Sequence, residues 1–176
     1  MNATSLLEDQ HRVIEALLAQ LESFSGHPGA VLAALANTLG AHMAIEQDLF
    51  YPAIATVDEA LVNESYEEHA LAELALKRLM MTNPTEPAFK ARVTALKDLL
   101  AHHIMEEEEQ LFPQVEEAVS EDLLAPLGKA MLARFQEAYE TGFDAVTPKG
   151  IARTSADLAQ KALARRAAKK EKAITA

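Results

Sequence analysis

The sequence predicts an all-α protein, built as an up-down-up-down four-helix bundle with an additional C-terminal helix and a basic tail. Nearly half of its 176 residues are hydrophobic, mainly Ala and Leu, and both favour helices. Apolar residues recur in steps of three and four along segments joined by short turns, which favours antiparallel neighbouring helices. We expect the bundle over residues 1–118, the additional helix over 119–146, packed on or beside it, and a flexible tail over 147–176.

Capping residues and prolines predict where the first two helices begin and end. Ser5 is the expected N-cap of the first helix, with Glu8 reaching back in a capping box, and this helix extends to about Ser23. The second helix begins near Ala30. It ends or kinks just before Pro52, because proline lacks the N–H that continues the ladder of hydrogen bonds.

The later helices follow from the same kinds of signal. The third helix begins near Asp58 and stops at Asn83, which precedes a proline. Thr85 can cap the fourth, which ends or kinks before Pro113. A fifth apolar segment covers residues 120 to about 140 and is followed by a Thr-Gly pair suited to a helix C-terminus.

One motif occurs twice, 61 residues apart: His-x-x-x-Glu, followed six residues later by Pro, with an aromatic residue just before the proline. Two further histidines follow acidic residues at nearly the same spacing. All six polar side chains lie on apolar stripes where a bundle would normally place Leu or Val. They are His11, His42, Glu46, His69, His103 and Glu107.

These six residues predict a metal site. A buried carboxylate without a partner costs several kcal/mol, and a buried imidazole needs a partner too. A His and a Glu at positions i and i+4 project side by side, so each pair offers two ligands to one ion. The twofold repeat supplies two such sets, and bridging carboxylates would hold two ions about 3.5–4 Å apart. Because the chain has no cysteine, these ligands suit iron, manganese or zinc.

Two alternatives stay open at this point. Glu15 and Glu73 each lie four residues after a histidine and could bind metal, accept a hydrogen bond from a ligand histidine, or lie on the flank. His102 and Glu106 have the same spacing as His103 and Glu107. Alignment of the two copies through Pro113 favours the second pair, and we expect Glu106, Glu108 and Glu109 to point away from the site.

The chain resembles the hemerythrin-like HHE cation-binding domain family over roughly residues 5–118. The resemblance depends on His11, His42-x-x-x-Glu46, His69 and His103-x-x-x-Glu107. It implies a four-helix bundle that holds two non-haem iron ions, bridged by carboxylates and by an oxo or hydroxo group. It also implies binding or sensing of O₂, nitric oxide, peroxide or iron.

The chain is less similar to the oxygen-carrier hemerythrins. Their third helix has a second histidine one turn after the first, where this chain has Glu73, and their fourth helix has an Asp five residues after its histidine. One imidazole fewer gives a more anionic site that favours oxidised metal, and therefore sensing or turnover over reversible O₂ carriage. A ferritin-like site needs Glu-x-x-His on two helices. Only Glu8 and His11 have that spacing, so we set it aside.

The resulting functional hypothesis is a non-haem di-iron protein that binds or senses a small ligand. The alternatives are a di-iron enzyme that consumes peroxide or nitric oxide, and a non-redox helical interaction module that is metal-free or holds zinc.

Charge and hydropathy constrain partners and location. The net charge is −11, while residues 147–176 carry eight Lys and Arg against two acids, about +6, so the remainder is near −17. The acidic body argues against nucleic-acid binding, and the tail could contact an acidic partner. Neither a signal peptide nor a membrane span is predicted, and we expect a cytoplasmic protein.

Overall fold

The computed structural model describes residues 1–24 and 27–147, and every regular element in these ranges is helical. The predicted all-α class is therefore confirmed. Two π-helical turns, Glu46–Phe50 and Glu107–Leu111, connect α2 to α3 and α5 to α6. The α-helices are α1 (Ala3–Ser23), α2 (Gly29–Ile45), α3 (Tyr51–Ile54), α4 (Glu59–Met80), α5 (Pro87–Glu106), α6 (Phe112–Ala118), α7 (Glu121–Thr141) and α8 (Phe143–Val146).

Four long helices form the bundle. Helix α1 packs against α2 and α5, and α4 packs against α5 and α2, so each helix has two neighbours. Helix α7 lies against α1 and α2, and α8 against α2. The predicted fifth helix thus covers one side of the bundle. The domain boundaries drawn at residues 118 and 146 stay predictions.

The core is divided into two apolar clusters with a polar layer between them. One cluster contains Leu7, Phe50 and Phe112, and the other contains Ile14 and Leu100. The six polar residues of the stripes lie where the chain passes from one cluster to the other. Apolar side chains thus enclose this layer from both ends, which excludes water from it.

The helix N-termini differ from the prediction. Asn2, not Ser5, is the N-cap of α1, because its side chain accepts a hydrogen bond from Ser5 N–H at 3.0 Å, while the Ser5 hydroxyl accepts from Asn2 N–H. The capping box therefore uses Asn2 and Ser5, and the helix starts earlier than expected. Helix α5 begins at Pro87 with Glu86 as N-cap, since proline is preorganised for the first helical turn. Thr85 instead donates to Asn83 in the preceding turn.

Before each proline, where an end or a kink was predicted, the structure has a π turn, and the helical path does not end. The helical path continues past Pro52 to Ile54 and past Pro113 to Ala118. Each proline lies in the first turn of the short helix that follows a π turn, where the missing N–H is tolerated. In each π turn the N–H of the residue before the proline donates to the carbonyl of the motif's glutamate, five residues back.

Helix α7 approaches the start of the chain closely at Gly128. A Cβ atom at Gly128 would lie 2.6 Å from the carbonyl carbon of Asn2, so only glycine fits without a shift of backbone. The helix ends at Gly142, whose φ of 87° agrees with the expected C-terminus.

The remaining predictions concern the tail and the membrane. Beyond Thr147 the predicted tail lies outside the described residues. Within the described ranges, no helix combines the length and apolar character that crossing a bilayer requires. The cytoplasmic location stays a prediction.

Candidate metal centre

Each of the four bundle helices contributes one buried histidine to the polar layer: His11 from α1, His42 from α2, His69 from α4 and His103 from α5. All four are at most 2% exposed. The two π turns each contribute their first residue, Glu46 or Glu107, at most 1% exposed. The structure therefore brings together the four predicted residues of the two motifs and the two further predicted histidines, His11 and His69.

Two overlapping groups of potential ligands occupy this layer. The first group contains His11, His42, Glu46 and Glu107, with one ligand atom from each within 4.8 Å of the others. The Nε2 atom of His42 lies 3.2 Å from Oε2 of Glu46. The Nε2 atom of His11 lies 3.3 Å from Oε2 of Glu107. Two imidazoles and two carboxylates thus face one point.

The second group contains Glu46, His69 and His103. The Nε2 atoms of His69 and His103 are 3.1 Å apart, and Oε2 of Glu46 lies 3.3 Å from His69 Nε2. Glu107 also reaches this group, since its Oε2 is 3.6 Å from His103 Nε2. Both carboxylates therefore touch both groups, which is the position of bridging ligands between two ions.

The donor atoms are short of hydrogen-bond partners. Among the described residues, His11 Nε2, both carboxylate oxygens of Glu46 and Oε2 of Glu107 are buried without one. Buried polar atoms are normally paired, and an orphaned carboxylate is especially costly. All four atoms point into the layer where the two groups overlap, so a divalent cation there would satisfy them together. The donor set fits a metal.

The other ring nitrogen of each histidine is held by a neighbouring side chain. His11 Nδ1 and His103 Nδ1 each lie 2.8 Å from a carboxylate, of Glu108 and Glu68 respectively. His42 Nδ1 donates to the amide oxygen of Gln10 at 2.9 Å.

The amide nitrogen of Gln47 lies 3.0 Å from His69 Nδ1, so the fourth ring is held as well. Such contacts fix the ring orientation and leave Nε2 directed toward the metal position.

The aromatic residues before the two prolines lie against the histidines. The ring of Phe112 is nearly parallel to that of His11, with centroids 6.0 Å apart. At the equivalent position of the other copy, Tyr51 donates a hydrogen bond from its hydroxyl to Glu107 Oε1 at 2.7 Å. The same hydroxyl lies 3.3 Å from Nε2 of His69. One side of the centre therefore carries a phenol and the other an apolar ring.

The groups around the two buried carboxylates shift their pKa values in opposite directions. Burial and the neighbouring Glu107 raise the pKa of Glu46 well above its ordinary value. Burial also acts to raise the pKa of Glu107, but the nearby His103 and His11 outweigh it and hold this pKa well below the ordinary value. Burial and the adjacent carboxylates raise the pKa of Tyr51, so its hydroxyl keeps its proton at neutral pH.

The histidines are also shifted in different directions. Burial lowers the pKa of His42 and of His69 well below the ordinary value, with a further contribution from a neighbouring imidazole in each case. Burial acts in the same direction on His103, but Glu107 and Glu68 outweigh it and raise its pKa. His42 and His69 are therefore neutral near pH 7, as metal binding requires.

The residues whose role as metal ligands the sequence could not decide lie outside the two groups of potential ligands. Glu15 is half-exposed and pairs with Arg12 at 2.7 Å. Glu73 is buried but pairs with Lys77, one turn along α4. Both therefore occupy the flank. His102 is exposed, so the register through His103 is the buried one.

Glu108 does not point away from the site, as the prediction had it. Glu108 is the second residue of a π turn, whose winding is wider than that of an α-helix, and its side chain reaches Nδ1 of His11. The prediction failed because it placed Glu108 on a regular α-helix.

The sequence reasoning did not identify Tyr51 or the groups that hold the histidine rings. A signal for these groups was present, since each is the immediate chain neighbour of a predicted ligand. They are Gln10 before His11, Gln47 after Glu46, Glu68 before His69, and Glu108 after Glu107.

Comparison with known proteins agrees with this geometry. The family model described as hemerythrin HHE cation binding domain matches residues 2–115. The crystal structure of a hemerythrin HHE cation binding domain-containing protein, an Rv2633c homologue from Mycobacterium kansasii, is similar with a TM-score of 0.72 and 28% identity. That similarity covers 80% of this chain and 89% of the other.

A DNA nickase from Nostoc sp. is 25% identical over 126 residues, which is 69% of this chain. The chain spans only 36% of the length of that relative.

Proposed function

The chain belongs to the hemerythrin HHE cation-binding domain family, and on this premise we propose that it is a non-haem di-iron protein that binds or senses O₂, nitric oxide, peroxide or iron. The observation that carries the proposal is the convergence of four imidazole Nε2 atoms and two shared carboxylates, with four buried atoms left without partners. His11 and His42 would hold one ion, His69 and His103 the other, and Glu46 and Glu107 would bridge them.

Iron suits this donor set because imidazole and carboxylate without thiolate favour it, with manganese and zinc as the alternatives. Bound iron would supply redox chemistry and coordination positions that the protein does not fill. Four imidazoles and two carboxylates that bridge the ions would not by themselves fill every coordination position of two ions. A small ligand can therefore be accommodated, and apolar clusters on both sides keep bulk water out.

A second candidate function is turnover of peroxide or nitric oxide at the same site. Tyr51 is the observation that favours it, because its hydroxyl lies inside the cluster between Glu107 and His69. The raised pKa keeps a proton on this oxygen. Tyr51 can hold or donate that proton next to a bound small molecule, which a purely structural site does not need.

The similarity to a DNA nickase supports no further proposal here. It covers about a third of that protein, and the region outside the predicted tail is strongly acidic, which opposes binding to a phosphate backbone.

Metal analysis with absorption spectra tests the proposal. We expect about two iron ions per chain and near-ultraviolet absorption that changes on reduction and again on exposure to O₂, nitric oxide or peroxide. His103→Ala should lower the iron content, whereas His27→Ala, which changes an exposed histidine, should not. A protein that takes up no iron when supplied with it, and so stays colourless, would refute the proposal. Steady-state consumption of peroxide or nitric oxide separates the enzyme from the sensor.

A further inference from the structure

A further His-x-x-x-Glu pair, His102 and Glu106, lies one residue before the buried pair of His103 and Glu107 and takes no part in the proposed centre. Unlike that pair it faces outward, because a one-residue step rotates a helical side chain by about 100°. The His102 side chain is 52% exposed and that of Glu106 is 18% exposed. The pair meets Glu68 of α4, and the three residues form a third group of potential metal ligands.

The distances in this group are those of shared ligands and not of hydrogen bonds. His102 Nε2 lies 3.7 Å from Oε1 of Glu68 and 3.6 Å from Oε1 of Glu106. Both exceed the usual N–H···O range. Ligands of a tetrahedral ion bound at about 2.0–2.2 Å are roughly 3.3–3.6 Å apart, so a contraction of at most a few tenths of an ångström would bring His102 and either carboxylate to the spacing of two ligands of one ion.

Glu68 distinguishes this group from an ordinary cluster of surface charges. Glu68 is only 8% exposed, and its Oε2 lies 2.8 Å from Nδ1 of His103. The carboxylate is therefore fixed in place with its other oxygen directed toward His102. A carboxylate that is already fixed loses little conformational freedom when it binds an ion, whereas a mobile surface glutamate would lose more.

The donor types indicate which ion fits. One imidazole and two carboxylates match the ligands of zinc and iron(II), whereas magnesium and calcium prefer oxygen alone. Because His102 is half-exposed, a water molecule can fill the fourth position. We propose that Glu68, His102 and Glu106 form a surface site for a divalent transition-metal ion, separate from the buried centre and joined to it through Glu68.

Zinc titration of the iron-loaded protein tests this site. The protein is titrated with Zn²⁺ by calorimetry, and its iron content is measured before and after so that exchange at the buried centre is accounted for. We expect wild type to bind one more equivalent of Zn²⁺ per chain than His102→Ala. Glu106→Gln should weaken that equivalent at least tenfold. Glu68 is left unchanged, because it also contacts His103.

His27→Ala is the matched control, since it removes another exposed histidine that the structure places outside this group. It should bind as much Zn²⁺ as wild type. Equal stoichiometry and affinity in wild type and His102→Ala would overturn the proposal. An equal loss in His27→Ala and His102→Ala would also overturn it, because it would show nonspecific binding to surface imidazoles. Neither outcome bears on the iron content of the buried centre.

Discussion

Tyr51 and Phe112 occupy equivalent positions in the two copies of the motif, 61 residues apart, yet only Tyr51 places a polar atom in the metal layer. Each is the first residue after a π turn and the residue before a proline. Phe112 stacks on His11, whereas the Tyr51 hydroxyl contacts Glu107 and His69. At this position the two halves of the centre therefore differ by a single oxygen atom.

Tyr51→Phe makes the two copies alike at this position and isolates the role of that oxygen. We expect unchanged iron content, because none of the six proposed ligands is altered. The free energy of unfolding of the metal-free protein should fall by about 1–2 kcal/mol, since Glu107 loses a buried hydrogen bond. If the site turns over peroxide or nitric oxide, the rate should fall while metal content does not.

Tyr66→Phe is the control for this experiment. Its ring packs edge-on against Tyr51 with centroids 5.0 Å apart, but Tyr66 is outside the ligand groups. Equal rates in wild type, Tyr51→Phe and Tyr66→Phe would remove any role for the Tyr51 proton.

Glu46→Gln and Glu107→Gln should have opposite effects on the metal-free protein. The pKa of Glu46 is raised by burial and by Glu107, so its ionised form is destabilising. At pH 8 the glutamine should increase the free energy of unfolding by about 1–3 kcal/mol. The pKa of Glu107 is held low by His103 and His11, so its replacement should decrease that free energy by a similar amount.

Both variants should bind less iron, because each loses a shared carboxylate. Chemical denaturation of the metal-free proteins, together with metal analysis, measures the two quantities separately. A stability change of the same sign in both variants would contradict the assigned difference between the carboxylates.

His42→Gln tests the protonation of a buried imidazole in the metal-free protein. Burial holds the folded-state pKa of His42 well below 6.5, so below that pH the unfolded chain binds a proton that the folded chain does not. Lower pH therefore favours unfolding of the wild type at this residue. Relative to His42→Gln, the wild type should lose about 1.4 kcal/mol for each pH unit below about 6.5. Denaturation curves between pH 7.5 and 5 measure the difference, and a pH-independent difference would contradict it.

Gly128→Ala tests the contact between α7 and the start of the chain. The added Cβ would lie 2.6–2.8 Å from backbone atoms of Asn2 and Ala3, so one of the segments must shift. We expect a loss of about 1–3 kcal/mol in the free energy of unfolding. Gly29→Ala is matched to it, because a Cβ there meets nothing within 4 Å and should be neutral or stabilising by up to about 1 kcal/mol. Thermal unfolding distinguishes the two, and equal melting temperatures would refute the close approach.

The fold class and the six buried polar residues could be predicted because helical periodicity carries both kinds of information. His103 and Glu107 lie on the stripe shared with Leu100, and alignment of the two motif copies through Pro113 favours them over His102 and Glu106. Several polar residues on such apolar stripes indicate that they share a partner, and this inference does not depend on the details of the turns.

The π turns and their consequences could not be predicted from that periodicity. A π turn is defined by a backbone hydrogen bond between an N–H and the carbonyl five residues before it. The composition of residues Glu46 to Phe50 does not require such a bond. From the periodicity we therefore predicted an end or a kink before Pro52 without the π turn, did not predict the contacts of the Tyr51 hydroxyl, and expected Glu108 to point away from the site. The Asn2 cap was missed for a simpler reason, since Ser5 has equal capping ability and the two exchange hydrogen bonds.

The π turns also determine the directions in which the side chains after them point. Residues five apart on a regular α-helix point about 140° away from each other, which would turn Tyr51 and Phe112 away from the direction of Glu46 and Glu107. The wider turn reduces that angle. One helical segment therefore supplies both a carboxylate and the aromatic ring that lies against the histidines. Conversion of either π turn to regular α-helix without a change in chain length would leave its His-x-x-x-Glu pair intact while rotating the aromatic ring that follows it away from the histidines.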